Sequence, residues 1–161
     1  MPCTDALLTP VSVEPLVVGW KEYLALPELG IRRLKAKLDT GARTSSLHVE
    51  SFTCLEALPD GTEMAEVTIG TDRKRPERRI VVRVAIVGRV RVTDSGGHRE
   101  VRPVIETEMV LGPVRKRIRV TLTDRSGMLF RMILGRKALE GDFVVDTSRK
   151  YLLRRSQPTI P

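Results

Sequence analysis

Leu38-Asp39-Thr40-Gly41-Ala42 closes a stretch, residues 31–38, in which apolar and basic side chains partly alternate. Alternation of this kind predicts a strand with one buried face. The Asp-Thr-Gly at its end predicts a tight loop, in which Gly41 allows backbone geometry that other residues resist. A carboxylate on a loop that a second backbone can approach closely is what hydrolysis of a peptide bond by water requires. The plainer alternative is a turn aspartate bonded to its own backbone.

Working outward, the rest of the chain reads as strands. Residues 16–20 and 23–26 make two short strands broken at Gly19, and residues 46–52 and 66–69 make two more around the turn Leu58-Pro59-Asp60-Gly61. The basic tract 71–79 predicts a solvated loop. Residues 80–92 and 99–107 form a long hairpin whose tip is Asp94-Ser95-Gly96-Gly97. Residues 115–123 alternate cleanly, with Ile118, Val120 and Leu122 on one face. A mostly apolar strand is expected over 128–134, then a turn or two of helix from Arg136, and a final strand pair at 143–146 and 151–153. The fold class is therefore mostly β with one short C-terminal helix.

The chain has 161 residues, of which 41% are hydrophobic and 4% aromatic, so one domain packed by branched aliphatics is expected. Its boundaries fall at 16–153, with a lead over 1–15 and a tail over 154–161. Lys and Arg exceed Asp and Glu to give a formal charge of +8, which favours polyanionic partners. One Trp, two Tyr and three Phe lie scattered along the chain with no recognition helix, so nucleic acid is not expected as a partner. Cys3 and Cys54 provide no disulfide framework, and no apolar run has the length of a membrane span. A cytoplasmic protein that does not enter the membrane is expected.

Asp39-Thr40-Gly41-Ala42 resembles the active-site signature of retropepsins, and Met132-Ile133-Leu134-Gly135-Arg136-Lys137-Ala138-Leu139 resembles their second signature, an apolar strand running through Gly-Arg into a short helix. A narrower resemblance rests on Lys35 to His48, Arg102-Pro103-Val104-Ile105, Leu122-Thr123-Asp124-Arg125, Leu134-Gly135-Arg136 and Phe143-Val144-Val145-Asp146. It is to a bacterial retropepsin-like family long called "ATP-dependent zinc protease" and associated with the ATP-grasp ligase that adds glutamates to a small-subunit ribosomal protein. The chain has neither His-Glu-x-x-His nor a phosphate-binding Gly-Lys-Ser/Thr loop.

The resemblance implies a closed retropepsin-like β-barrel (the acid-protease fold) that is half of a two-fold dimer. Asp39, Thr40 and Gly41 would be catalytic, with the Thr40 hydroxyl bonding across the dimer. Ala42, Arg43, Arg102 and Arg125 would face substrate, and Gly135 and Arg136 would support the loop. No metal or cofactor is implied. The implied partners are a second copy of the chain and an acidic peptide or protein tail, with a ribosomal protein as candidate. Viral retropepsins place acidic residues after Asp-Thr-Gly-Ala, where this chain has Arg43 and Thr44, so Arg136 must find another partner and Arg43 is available to acidic substrate side chains.

Asp94-Ser95-Gly96 also fits the Asp-Ser/Thr-Gly pattern, but it follows Asp39 too soon to head a second lobe and reads as a hairpin tip, or as a flap over substrate. His48-Val49-Glu50, with Cys54 nearby, would place two polar side chains on one strand face, which is too few for a zinc site. Two other functions stay open on sequence alone: a noncatalytic module holding acidic segments, and a zinc peptidase through His48.

Overall fold

A computed structural model describes residues 14–93 and 96–155. Most of the expected lead and tail, and with them Cys3, lie outside the described residues, as do Asp94 and Ser95 of the expected hairpin tip. Twelve strands form: β1 (Leu16–Gly19), β2 (Lys21–Leu26), β3 (Ile31–Leu38), β4 (Ser45–His48), β5 (Ser51–Cys54), β6 (Glu63–Gly70), β7 (Arg79–Ile86), β8 (Gly88–Thr93), β9 (Arg99–Leu111), β10 (Val114–Thr123), β11 (Met132–Leu134) and β12 (Phe143–Asp146). One helical turn, α1 (Arg136–Leu139), follows β11, and 3-10 turns occupy Pro27–Leu29 and Leu152–Arg155.

Six strands run in the order β10-β4-β11-β3-β2-β9, and pairing of β9 with β10 closes them into a barrel. The closing hairpin turns through Gly112-Pro113, with Leu111 opposite Val114. Gly112 adopts φ 58°, the left-handed geometry that a two-residue hairpin loop favours at its first position. The alternation expected in β10 holds, with Ile118, Val120 and Leu122 buried. On β3, Leu34, Ala36 and Leu38 point into the core while Arg33, Lys35 and Lys37 are exposed. β8 adds to the first half of β9, and the sheet β5-β6-β7 contributes Ala65, Val67, Ile69, Val84 and Ile86 to the same core.

Four expectations are corrected. The long hairpin expected from residues 80–92 and 99–107 is shorter, because only β8 pairs with β9 while β7 pairs with β6 in the outer sheet. Residues 46–52 are not one strand: the chain leaves the barrel at Val49-Glu50, where the Val49 N–H reaches the Thr123 carbonyl (3.0 Å) and the Glu50 N–H reaches Thr68 (2.7 Å) in the outer sheet. The strand expected over 128–134 shortens to β11, because only three residues lie between β3 and β4; Met128 and Leu129 remain exposed (55% and 70%). The expected pair of 143–146 with 151–153 does not form. β12 instead pairs in parallel with β1. Tyr151 takes φ 56° and stacks on Tyr23 with ring centroids 5.1 Å apart.

That last rearrangement centres on Glu22, which is 1% exposed. Its carboxylate accepts N–H groups from Gly19 (2.6 Å), Leu152 (2.9 Å) and Leu153 (3.3 Å), joining β1, β2 and the last turn of the chain. Buried donors left without acceptors are costly, so Glu22→Ala should lower the unfolding free energy by about 3 kcal/mol. Urea denaturation followed by circular dichroism measures this; an unchanged midpoint would show that the carboxylate does not hold the end of the chain.

Candidate active site

β11 lies parallel to β3, with Leu134 opposite Leu38, so the residue after each strand emerges at the same end of the barrel. The Asp39 N–H donates to the Leu134 carbonyl (2.8 Å). The chain then folds back on the side chain: the Gly41 N–H donates to Asp39 Oδ1 (3.0 Å), and the Ala42 N–H to the Asp39 carbonyl (3.2 Å). Gly41 does not use the left-handed region, contrary to the reading from sequence. Its importance is one of space, since a Cβ there would lie 3.2 Å from Asp39 Oδ1 and crowd the oxygen that its own amide holds.

Four successive carbonyls of the loop are taken up by the start of α1. Arg136 Nη1 donates to the carbonyls of Thr40 (3.2 Å) and Gly41 (3.3 Å), the Arg136 N–H to Ala42 (2.7 Å), and the Lys137 N–H to Arg43 (3.1 Å). The partner that Arg136 needs in place of an acidic residue is therefore the loop backbone itself. Gly135 lies flat against the next peptide, where a Cβ would come within 2.6 Å of the Thr44 carbonyl carbon and oxygen. Its N–H donates to the buried Ser45 hydroxyl (3.1 Å).

Arg102 on β9 and Arg125 in the turn after β10 form a second group, and the charge of Asp39 reaches Arg125. Burial pushes the Arg125 guanidinium below the usual arginine range and the nearby Arg102 cation acts the same way, while the Asp39 carboxylate holds it up. These three charges thus share one environment. Arg125 Nε donates to the Phe130 carbonyl (3.2 Å), and Arg102 pairs with Glu100 (3.0 Å), whose other oxygen accepts the Thr123 hydroxyl (3.0 Å). Arg43 is not in this group: with Thr40, Arg136, Lys137, Phe143 and Val145 it lines a hollow of about 550 Å³. The half-buried Ala42 contributes through its backbone.

Three further residues position this arrangement: Ser45 under Gly135 and Glu100 behind Arg102, neither given a site role from sequence, and His48 behind Arg125, considered from sequence only as a zinc ligand. His48 is 3% exposed, and its Nδ1 accepts the Arg125 N–H (2.8 Å). Nothing in the local pattern marks these roles, since each depends on a contact made across the barrel. The suggested polar face of His48 and Glu50 does not form, because Glu50 lies beyond the end of β4 and pairs with Arg79 (2.6 Å). Among the described residues no three His, Cys, Asp or Glu side chains gather as a metal-ligand set. Nor is any helix there long and apolar enough to cross a membrane.

A closed barrel with a late strand threaded between two early ones, and an Asp-Thr-Gly loop backed by a Gly-Arg turn, defines the retropepsin-like class of aspartic peptidase folds. A family model described as "Retropepsin-like aspartic endopeptidase RimB" matches residues 17–156, and the chain belongs to that RimB-like family. It is 36% identical over 139 residues to a protein of Desulfotalea psychrophila named "Probable alpha-L-glutamate ligase", covering 85% of this chain and 29% of that protein. A protein of Shewanella pealeana with the same name is 32% identical over 145 residues, covering 89% of this chain and 31% of that one. The chain thus spans about a third of the length of these relatives. The crystal structure of a Legionella pneumophila protein of unknown function superposes with a TM-score of 0.72 at 28% identity, over 87% of this chain and 99% of that one.

Burial holds the His48 pKa below the ordinary 6.5 and the Arg131 cation adds to this, against the opposing pull of Asp124 and Glu50. The imidazole is therefore neutral, and the 3.7 Å approach of Asp124 to Nδ1 is not an ion pair. As pH falls below 6.5, the unfolded chain binds a proton that the folded chain refuses, so stability drops until the lower folded value is passed. Melting temperature against pH should show this loss in wild type and a shallower one in His48→Asn, which keeps an acceptor without the titration. Parallel curves would remove His48 from the account.

Proposed function

We propose that this protein is an aspartic endopeptidase in which Asp39 from each of two copies of the chain activates one water, and that it cuts acidic, glutamate-rich protein tails. The observation that carries the reading is the anchoring of residues 39–45, whose backbone is fixed by β11, Gly135 and the start of α1, while the loop's own Gly41 N–H holds one carboxylate oxygen of Asp39. A carboxylate held in this way loses little freedom when it reacts, which is the condition for efficient general acid–base catalysis. One chain brings one such loop. Among the described residues no second loop of this kind is present, and Asp94, which follows the Thr93 that pairs with Arg99, lies too close in sequence to Asp39 to head a second lobe, so we assign the second loop to a partner protomer.

Two carboxylates about 3 Å apart cannot both ionise and so share a proton. The ionised one takes a proton from water as the water oxygen bonds to the substrate carbonyl carbon, and the protonated one gives its proton to the carbonyl oxygen. Return of a proton to the amide nitrogen then breaks the C–N bond. In this scheme the exposed Thr40 hydroxyl meets the partner's loop, Gly41 keeps the space beside Asp39 open, and the β8–β9 hairpin covers the substrate.

The charges around the loop support an acidic substrate. Arg125 feels the charge of Asp39 with Arg102 close by, while Arg43, Arg136 and Lys137 line the adjoining hollow against one acid, Glu140, which pairs with Lys137 (3.4 Å). The longer relatives that share this stretch carry a glutamate-ligase name, which supports a polypeptide extended by glutamates, with a ribosomal protein as candidate.

Incubation of the protein with a glutamate-extended peptide, followed by mass spectrometry, tests the reading. Asp39→Asn should slow cleavage by roughly a thousand-fold or more while leaving peptide binding nearly intact. Arg43→Glu should shift preference toward neutral peptides. Full turnover in Asp39→Asn would end the proposal, and an unchanged preference in Arg43→Glu would remove Arg43 from substrate selection.

A further inference from the structure

Scattered in the sequence, the aromatic residues give no sign of a stacking surface, yet the fold gathers four of the six. Trp20 and Phe130 meet edge to face at 6.1 Å, and Tyr23 stacks on Tyr151. Trp20, Tyr23 and Phe130 line a cleft of about 650 Å³ on the outer face of β3, and each of their rings is half-buried. Most of the remaining wall is cationic. Loop 71–78 brings Arg73, Lys74, Arg75 and Arg78, and β3 brings Arg33 and Lys35. Lys21, Arg131 and Arg154 complete the set, and Asp72 is the one acidic residue lining the cleft. Its carboxylate already holds the Lys74 N–H (2.9 Å) and lies 3.9 Å from Arg78.

Several of these cations are laid on the rings rather than left to wander. The Arg33 guanidinium sits 3.9 Å from the centre of Tyr23, Lys21 lies 4.9 Å above Trp20, and Arg154 lies 5.0 Å from Tyr151. A guanidinium fixed by its face keeps its edge N–H groups for an anion. Arg131 adds two buried donors, Nε and Nη1, that find no acceptor among the described residues. An exposed apolar residue, Leu129, stands at the rim (70% exposed).

We propose that this cleft is a binding site for single-stranded nucleic acid, separate from the proposed peptidase chemistry at Asp39. Phosphates meet the fixed guanidinium edges and the basic loop. Bases lie against Trp20, Phe130 and the stacked guanidinium planes. An acidic peptide would use the cations but has no flat groups for the half-buried rings and the apolar rim, so the joint array favours the nucleic acid.

Trp20 is the only tryptophan of the chain and reports from inside the cleft. The test adds unlabelled twelve-residue poly-U RNA, poly-dT of equal length and a deca-glutamate peptide to the whole chain, reading Trp20 fluorescence and, with labelled probes, anisotropy. Either oligonucleotide should quench Trp20 and bind, and the pair shows whether RNA or DNA is preferred. Each phosphate contact contributes about 0.7 to the slope of log affinity on log salt for a single strand, so replacing Arg73, Lys74, Arg75 and Arg78 together by Ser should reduce that slope by about 3 and affinity at least ten-fold. Those residues lie on an exposed loop, and an unchanged melting temperature verifies folding; if the variant fails to fold, wild-type quenching and salt dependence decide. Binding of the glutamate peptide alone, oligonucleotide binding without quenching, or a folded variant binding as well as wild type would overturn the proposal.

Discussion

Residues 39–45 belong to no helix and, until Ser45, to no strand, so their peptide groups must find partners elsewhere or carry the cost of unpaired polar atoms. The turn from β11 into α1 provides those partners. One guanidinium and two backbone amides satisfy four consecutive carbonyls, and the close seating of Gly135 on Thr44 leaves no room for a side chain. That contact depends on β11 entering between β3 and β4 in register, with Leu134 beside Leu38. The register in turn requires the barrel to close through β9 and β10. Loop geometry and global topology are thus one constraint, and the four-residue helix matters for its first turn.

The strands were largely legible from the sequence, because period-two alternation in residues 31–38 and 115–123 is a local property that the closed sheet leaves intact; the closure into a barrel was implied only by the family resemblance. The Asp-Thr-Gly loop and the Gly-Arg turn were legible as a pair. Less legible was whatever depended on long-range neighbours. Met128 and Leu129 look like strand residues but fall outside the reach of β3 and β4. Residues 151–153 look like a strand, but Glu22, more than a hundred positions away, draws their amides into a turn. Gly41 looked like a conformational glycine and instead keeps space beside a carboxylate. The coupling of Arg125 to the charges of Arg102 and Asp39 is visible only once β9 and the turn after β10 are placed.

Charge is distributed unevenly over the fold. Around β6, β7, β9 and β10, cross-strand acids answer the arginines, Arg83 with Glu66, Arg119 with Glu106 and Arg115 with Glu108, and Glu28 of the Pro27–Leu29 turn answers Arg117. Exposed pairs of this kind add little stability, but they neutralise that side of the molecule. The excess behind the net charge of +8 is concentrated elsewhere, on the outer face of β3 and loop 71–78, and in the arginines near Asp39 and Thr40. The two functional proposals divide that excess between them, one part next to the proposed chemistry and one along the cleft.

The central claim is that one chain holds half of the reacting pair. It is tested most directly with a mixed dimer, prepared from two differently tagged chains and purified through both tags, in which one chain carries Asp39→Asn. The account predicts that this species has no more activity than the doubly substituted dimer, since its single carboxylate lacks its opposite. Activity near half that of wild type would contradict it, because each chain would then be working alone.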